Sequence, residues 1–223
     1  MFAVARVVLL SGSLLAASVP ASATVVGQWN MDNDFGTVMV DSSGYGNNGT
    51  MYNIVTSGAG YVFNGTSSKV VVKNSASLTP GPRDFWYSAQ FQTDRMPGVD
   101  EDYDIIRKGA ASTEGGGFRL EIEYSKGMGV GYCSISDSAG VTLSVRGKKN
   151  LADGLFHTAT CYKTATGISL VVDNQAPIVK EGALGSIVDI KDLALGCKQS
   201  TCKKEDSDWY YGTLRSVTIS ISD

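Results

Sequence analysis

The chain has 223 residues, 43% of them hydrophobic, with 22 acidic residues against 19 Lys and Arg, one histidine and four cysteines. A formal net charge of −3 argues against a duplex nucleic-acid partner, which calls for a basic face. The length suits one undivided β-domain, since sandwiches and barrels of roughly 200 residues commonly fold as a unit.

Residues 1–23 read as an export signal. Arg6 is the only charge in the segment, apolar runs cover 7–10 and 14–19, and Ala21-Ser22-Ala23 fits a small-x-small cleavage site. Ser11-Gly12-Ser13 interrupts the apolar stretch, which falls short of the about 20 residues a bilayer requires. The expected product is a secreted, extracellular domain over 24–223 with no membrane insertion.

From there helical periodicity is nearly absent, and short β-branched and aromatic runs alternate with Gly, Asn, Ser and Asp turns. Strands are expected over 25–31, 60–63, 69–73, 85–93, 103–108, 118–124, 129–136, 141–145, 156–162, 168–173, 193–196 and 212–221. Residues 96–102 and 110–116 read as loops, and 176–191 as a loose connection or a single helical turn. In Phe118-Arg119-Leu120-Glu121-Ile122-Glu123-Tyr124 every second residue is apolar, leaving Arg119, Glu121 and Glu123 on the other, solvated face. Two antiparallel sheets packed face to face explain such alternation better than a barrel with an internal cavity.

The first strand ends in Trp29-Asn30-Met31-Asp32, and Asp41-Ser42-Ser43-Gly44-Tyr45-Gly46-Asn47-Asn48-Gly49 follows. This stretch resembles the opening of the LamG-like (laminin G-like) family of concanavalin A-like lectin and glucanase domains. The likeness continues through Phe63-Asn64-Gly65, Leu78-Thr79-Pro80, Arg107-Lys108-Gly109, Asp153-Gly154-Leu155-Phe156-His157 and Val172-Asp173-Asn174 to Tyr211-Gly212-Thr213-Leu214-Arg215-Ser216-Val217. It implies an all-β jelly-roll sandwich. Members of the family often hold a structural calcium with acids near both chain ends; here Arg215-Ser216 stand where an Asp-Glu pair is usual.

Two readings are open for the 41–49 loop. Calcium takes 6–8 oxygens, so Asp41 and Asn47, with Asp32, are the candidate ligands, Gly44, Gly46 and Gly49 allowing positive φ. The other reading is an Asx-turn network in which the same side chains cap backbone amides without metal.

Glu121 and Glu123 are the catalytic candidates, because residues i and i+2 of a strand lie about 6.6 Å apart on one face. Paired carboxylates about 5–5.5 Å apart serve retaining glycosidases. The related laminarinase-type motif Glu-x-Asp-x-x-Glu is incomplete here, since Ser125 and Lys126 follow Tyr124. His157 has no partner that sequence spacing identifies. For sugar contact the aromatic candidates are Trp86, which alternation places opposite Phe85 and Tyr87, and Tyr103, Trp209 and Tyr210, in or beside loops. The basic runs at 146–149 and at Lys198, Lys203 and Lys204 offer attraction for acidic glycans or form charged turns.

Cys133, Cys161, Cys197 and Cys202 allow three disulfide connectivities, of which Cys133–Cys161 and Cys197–Cys202 join nearby strands and one short loop. A zinc site is the competing reading, though a second cysteine cluster is missing.

The leading expectation is a secreted, non-catalytic module that recognises a polysaccharide or other glycan. A small polysaccharide hydrolase or lyase, and an adhesion module for a cell-surface or matrix protein, are the alternatives.

Overall fold

Side chains at successive strand positions point to opposite faces, so an apolar-polar alternation commits one face to a core. In Phe85–Gln92 the inward set is Phe85, Tyr87, Ala89 and Phe91, all buried, while Trp86, Ser88, Gln90 and Gln92 are half-buried on the other side. The structure is a computed structural model and describes residues 23–32, 36–109, 114–199, 201–203 and 208–223. Apart from Ala23, the expected leader lies outside the described residues, as do residues 110–113 of the second expected loop.

In chain order the strands are β1 Ala23–Trp29, β2 Val38–Met39, β3 Gly49–Tyr52, β4 Val55–Ser57, β5 Gly60–Asn64, β6 Lys69–Val72, β7 Phe85–Gln92 and β8 Asp102–Gly109. They continue with β9 Gly117–Ser125, β10 Met128–Ser136, β11 Thr142–Arg146, β12 Phe156–Thr164, β13 Gly167–Val172, β14 Ile178–Glu181, β15 Leu193–Leu195 and β16 Tyr211–Ser222. All twelve expected strands form. Residues 176–191 hold no helix; they contribute β14, which pairs with β13.

Two antiparallel eight-stranded sheets result, one ordered β14-β13-β12-β7-β16-β5-β4 with β1 also paired to β16, and the other β11-β10-β9-β8-β15-β6-β3-β2. The twelve-residue β16 spans the first sheet. Its residues 211–214 pair with β5 and its residues 217–222 with β1, while β7 runs along the opposite edge. The inner faces meet in one core that includes Trp29, Phe63, Phe91, Leu120, Ile135, Leu170 and Ile219. The fold is the jelly-roll β-sandwich expected from the sequence.

Both expected disulfides form, leaving no cysteine for zinc. Cys133 on β10 and Cys161 on β12 face each other across the core, with Cα atoms 5.9 Å apart, and tie the sheets together. Cys197–Cys202 staples a loop that follows β15. Among the described residues no helix is long and apolar enough to cross a membrane.

Candidate functional site

The outer face of the first sheet follows from strand register. Trp86 on β7 lies between Tyr162 of β12 and Ser220 of β16. The next outward row is Thr160, Ser88 and Thr218, followed by Thr158, Gln90 and Ser216, then Phe156, Gln92 and Thr213. A bulge between Leu214 and Ser216 keeps the β16 hydroxyls in phase with the β7 side chains. The rows consist of hydroxyls and amides, with aromatic rings at both ends.

Trp86 and Tyr162 lie with ring centroids 6.4 Å apart and planes tilted by 42°. Ser88 Oγ and Thr160 Oγ1 share a hydrogen bond of 2.8 Å. At the other end the Arg215 guanidinium lies 3.6 Å above the Phe156 ring, and Arg95 lies 3.8 Å above Tyr211. Here the face runs into a cleft of about 490 Å³ lined by Asn64, Gln92, Thr93, Asp94, Tyr211 and Thr213. Flat rings beside fixed hydroxyl and amide groups suit a ligand with apolar faces and hydroxylated edges.

The second sheet's outer face is built differently. Ala194, Cys197, Cys202 and Trp209 pack as a small apolar cluster over it. Beneath this cover Glu121 is fully buried and Arg107 only 4% exposed, which corrects the expected solvated face. Arg107 Nη1 donates to Asp104 Oδ1 at 3.1 Å and to Glu121 Oε1 at 2.8 Å, and Arg119 Nη1 lies 3.1 Å from the same Glu121 oxygen. Lys198 pairs with Asp208. Burial, and then the charges of Asp104 and Asp102, push the Glu121 carboxyl up to about 10. Burial, and then Asp104 and Asp208, push Asp102 up to about 7. Glu123 is held by Arg146 Nε at 2.8 Å. Each candidate catalytic carboxyl is therefore engaged by arginine.

In the 41–49 loop the Asp41 carboxylate accepts four hydrogen bonds. Oδ1 takes the amides of Gln28 and Ser43, each at 2.9 Å, and Oδ2 takes the Asn47 amide at 2.9 Å and the Ser43 hydroxyl at 2.8 Å. Asn47 Nδ2 donates to Val26 O and Ser77 Oγ, and its carbonyl accepts from the Trp29 indole. These bonds form an Asx-type network in which the Asp41 carboxylate holds the loop backbone. Asp32 is exposed, and among the described residues it forms no group of three acids with Asp41. Gly44 and Gly46 take φ of 91° and 73°, whereas Gly49 is a strand residue whose missing Cβ admits Val70 and Met39.

Three of the four aromatic candidates prove to be buried, Tyr103 and Tyr210 in the core and Trp209 in the apolar cluster on the second sheet. Tyr103 and Tyr210 are buried edge to face, with centroids 6.2 Å apart, and Tyr210 donates its hydroxyl to Gln92 O at 2.7 Å. Trp209 is 4% exposed and donates to Lys203 O. Large rings next to loops bury more area than they expose, so sequence adjacency to a turn misplaced them. Trp86 points outward as alternation predicts. His157 is buried between Asp153 and Asp173, at 2.9 and 2.7 Å. The basic run is likewise engaged, with Lys149 on Asp173 at 2.6 Å; Lys204 lies outside the described residues.

The sequence reading missed Tyr162 and the hydroxyl rows. The period-2 pattern Phe156-x-Thr158-x-Thr160-x-Tyr162 carries that signal. It missed the approach of Asp208 to Asp102 and Asp104 because Asp208 is remote from that strand in sequence and only folding brings them together.

No protein-family model matches the sequence, and no curated protein resembles it in sequence. Solved structures do resemble it. Domain 4 of AbnA, a GH43 extracellular arabinanase from Geobacillus stearothermophilus in complex with arabinotriose, matches with a TM-score of 0.62 at 13% identity, over 90% of this chain and 94% of that one. Botulinum neurotoxin type C, described as dependent for cell entry upon interaction with two ganglioside molecules, matches with 0.59 at 10% identity, over 90% of this chain and 47% of that one. A Trypanosoma rangeli sialidase in complex with 2,3-difluorosialic acid matches with 0.59 at 15% identity, over 88% of this chain and 30% of its own. These likenesses show the concanavalin A-like jelly-roll fold, and the chain spans less than half of the toxin and sialidase structures.

Proposed function

We propose that this protein is an exported, non-catalytic glycan-recognition module whose binding surface is the outer face of β7, β12 and β16. The observation that carries the reading is the outward Trp86–Tyr162 pair beside uncharged rows of Ser, Thr and Gln, continuous with the cleft at Gln92 and Thr213. Rings supply apolar stacking area at low entropic cost, and the rows supply donors and acceptors for sugar hydroxyls. The similarity to an arabinotriose-bound domain and to a toxin dependent on gangliosides adds support at the level of fold. The engagement of Glu121 and Glu123 by arginine favours binding over hydrolysis.

The test is affinity electrophoresis of the mature protein in gels containing arabinan, xylan, β-glucan or pectin. Retardation without release of reducing ends is expected on at least one polymer. Trp86→Ala and Tyr162→Ala should each weaken it about tenfold, about 1.4 kcal/mol. Retardation insensitive to both substitutions would move the site elsewhere, and polymer cleavage would refute a purely binding role.

A further inference from the structure

We infer that the cleft end of the β7–β12–β16 face binds the carboxylate of an acidic glycan, a uronate-bearing chain, through Arg95 and Arg215. The inference rests on the glycan-binding reading of that face and names the class of sugar.

The four outward rows hold aromatic, hydroxyl and amide side chains, and none is charged. Charge enters where the rows meet the cleft. Arg95 is exposed, follows β7 and lies over Tyr211, which lines the cleft. Arg215 is also exposed and is the extra residue of the β16 bulge between Leu214 and Ser216. A bulged residue leaves the ladder, so its side chain is re-aimed; here it lies over Phe156, the neighbour of Gln92 in the last row. Contact at 3.8 and 3.6 Å with the two rings restrains both guanidinium groups before a ligand arrives, so less freedom is lost on binding.

The missing counter-charge sets this pair apart. Arg107, Arg119 and Arg146 each engage an acid, and Arg83 donates to the carbonyls of Pro80 and Thr79. Among the described residues neither Arg95 nor Arg215 forms an ion pair, and Arg215 Nε donates to Ala59 O at 3.3 Å. Asp94 is the one acid in the cleft lining, and Asp153 of the adjacent turn accepts from His157. Two cations thus face one acid, in a chain whose formal net charge is −3. Arg215 also stands where the family resemblance leads to an acid, so the charge at this point of the sheet is reversed.

A planar guanidinium matches a planar carboxylate through two parallel N–H···O bonds. From Trp86 to Gln92 the strand advances six residues, about 20 Å. One extended chain can therefore stack a sugar on Trp86 and Tyr162 and present an acid to the arginines.

Affinity electrophoresis of the full mature protein in polygalacturonate and in alginate, each compared with its fully methyl-esterified form, isolates the carboxylate. Retention about tenfold tighter or more on at least one acid form is expected, weakening as salt is raised. The double variant Arg95→Gln/Arg215→Gln should bind acid and ester alike, at the wild type's affinity for the ester. Both residues are exposed, and a melt matching the wild type checks that the variant folds. Arg215→Lys in place of Arg215→Gln should restore only part of the preference, because an ammonium keeps the charge and loses the fork; full restoration would overturn the planar pairing. Equal retention on acid and ester, weakened on both by Trp86→Ala, would overturn this inference and leave the binding face in place. An acid preference that survives in the double variant would overturn the assignment to these arginines. Tighter retention on dextran sulfate than on either polyuronate would overturn the choice of carboxylate, and no retardation on any polymer would sink both the face and its acidic ligand.

Discussion

Replacing Asp41 by alanine tests whether the 41–49 loop is held by carboxylate hydrogen bonds. Asp41 is 8% exposed and its oxygens take three backbone amides and one hydroxyl at 2.8–2.9 Å. Hydrogen bonds to a charged group contribute about 1.5–3 kcal/mol each. The Gln28 and Ser43 amides are only partly buried and recover water once the carboxylate is gone, while the Asn47 amide is buried and does not. The expected loss is therefore about 3–5 kcal/mol rather than the sum of four bonds. For a domain of this size each kcal/mol lowers Tm by about 2–4 °C, so a fall of about 6–20 °C is expected. The sign of the pH dependence follows from the same bonds. Burial acts to raise the Asp41 carboxyl, but its hydrogen bonds to Gln28, Ser43 and Asn47 outweigh that and hold it below the ordinary value of 3.8. The unfolded chain thus takes up this proton first on acidification. Asp41 stabilises the fold above the unfolded pKa, and that stabilisation disappears as pH falls through the native one. Circular dichroism melts between pH 7 and pH 2.5 read both effects. A fall in Tm under about 2 °C at pH 7, or an acid limb as steep in Asp41→Ala as in the wild type, would refute the account.

Three further outcomes follow from the core and its charges. Arg107→Ala should cost about 3–5 kcal/mol in urea unfolding, because Asp104 and Glu121 lose the guanidinium that lies between them; a cost below about 1 kcal/mol would show that water or protons compensate freely. The double variant Cys133→Ala/Cys161→Ala opens a 28-residue separation and should lose about 3–4 kcal/mol in the chain-entropy model, read as a lower urea midpoint. Gly196 has φ of 83°, and an added Cβ would lie 2.2 Å from the Phe63 ring. Gly196→Ala should therefore destabilise by about 2 kcal/mol or more, and a melt unchanged from the wild type would contradict this packing.

Alternation made most of the fold legible in advance, and the reason is geometric. A strand with period-2 apolar residues has one burial solution, so Phe85, Tyr87 and Phe91 announced the core and Trp86 the outer face. The strands that went unread, β2, β3, β4 and β14, are two to four residues long. Too few residues alternate in them to form a pattern, and neighbouring turn chemistry masks them, as at Gly49. The disulfides were readable because each pair lies on nearby strands or within one short loop.

Polar residues were a different matter. Arg119, Glu121 and Glu123 alternate with apolar neighbours as solvated residues do, yet Glu121 is buried, on the sheet face where Cys197, Cys202 and Trp209 pack as an apolar cluster. Tyr103, Trp209 and Tyr210 flank loops and still lie inside, since ring burial depends on what packs above them. Alternation states only that a side chain leaves the core of its own sandwich; whether it then meets water, a ring or another charge depends on segments distant in the chain. For that reason β-pattern and cysteine spacing specify this architecture, while the gathering of Asp102, Asp104, Glu121 and Asp208, and the aromatic pairing of Trp86 with Tyr162, exist only once strands far apart in sequence are in register.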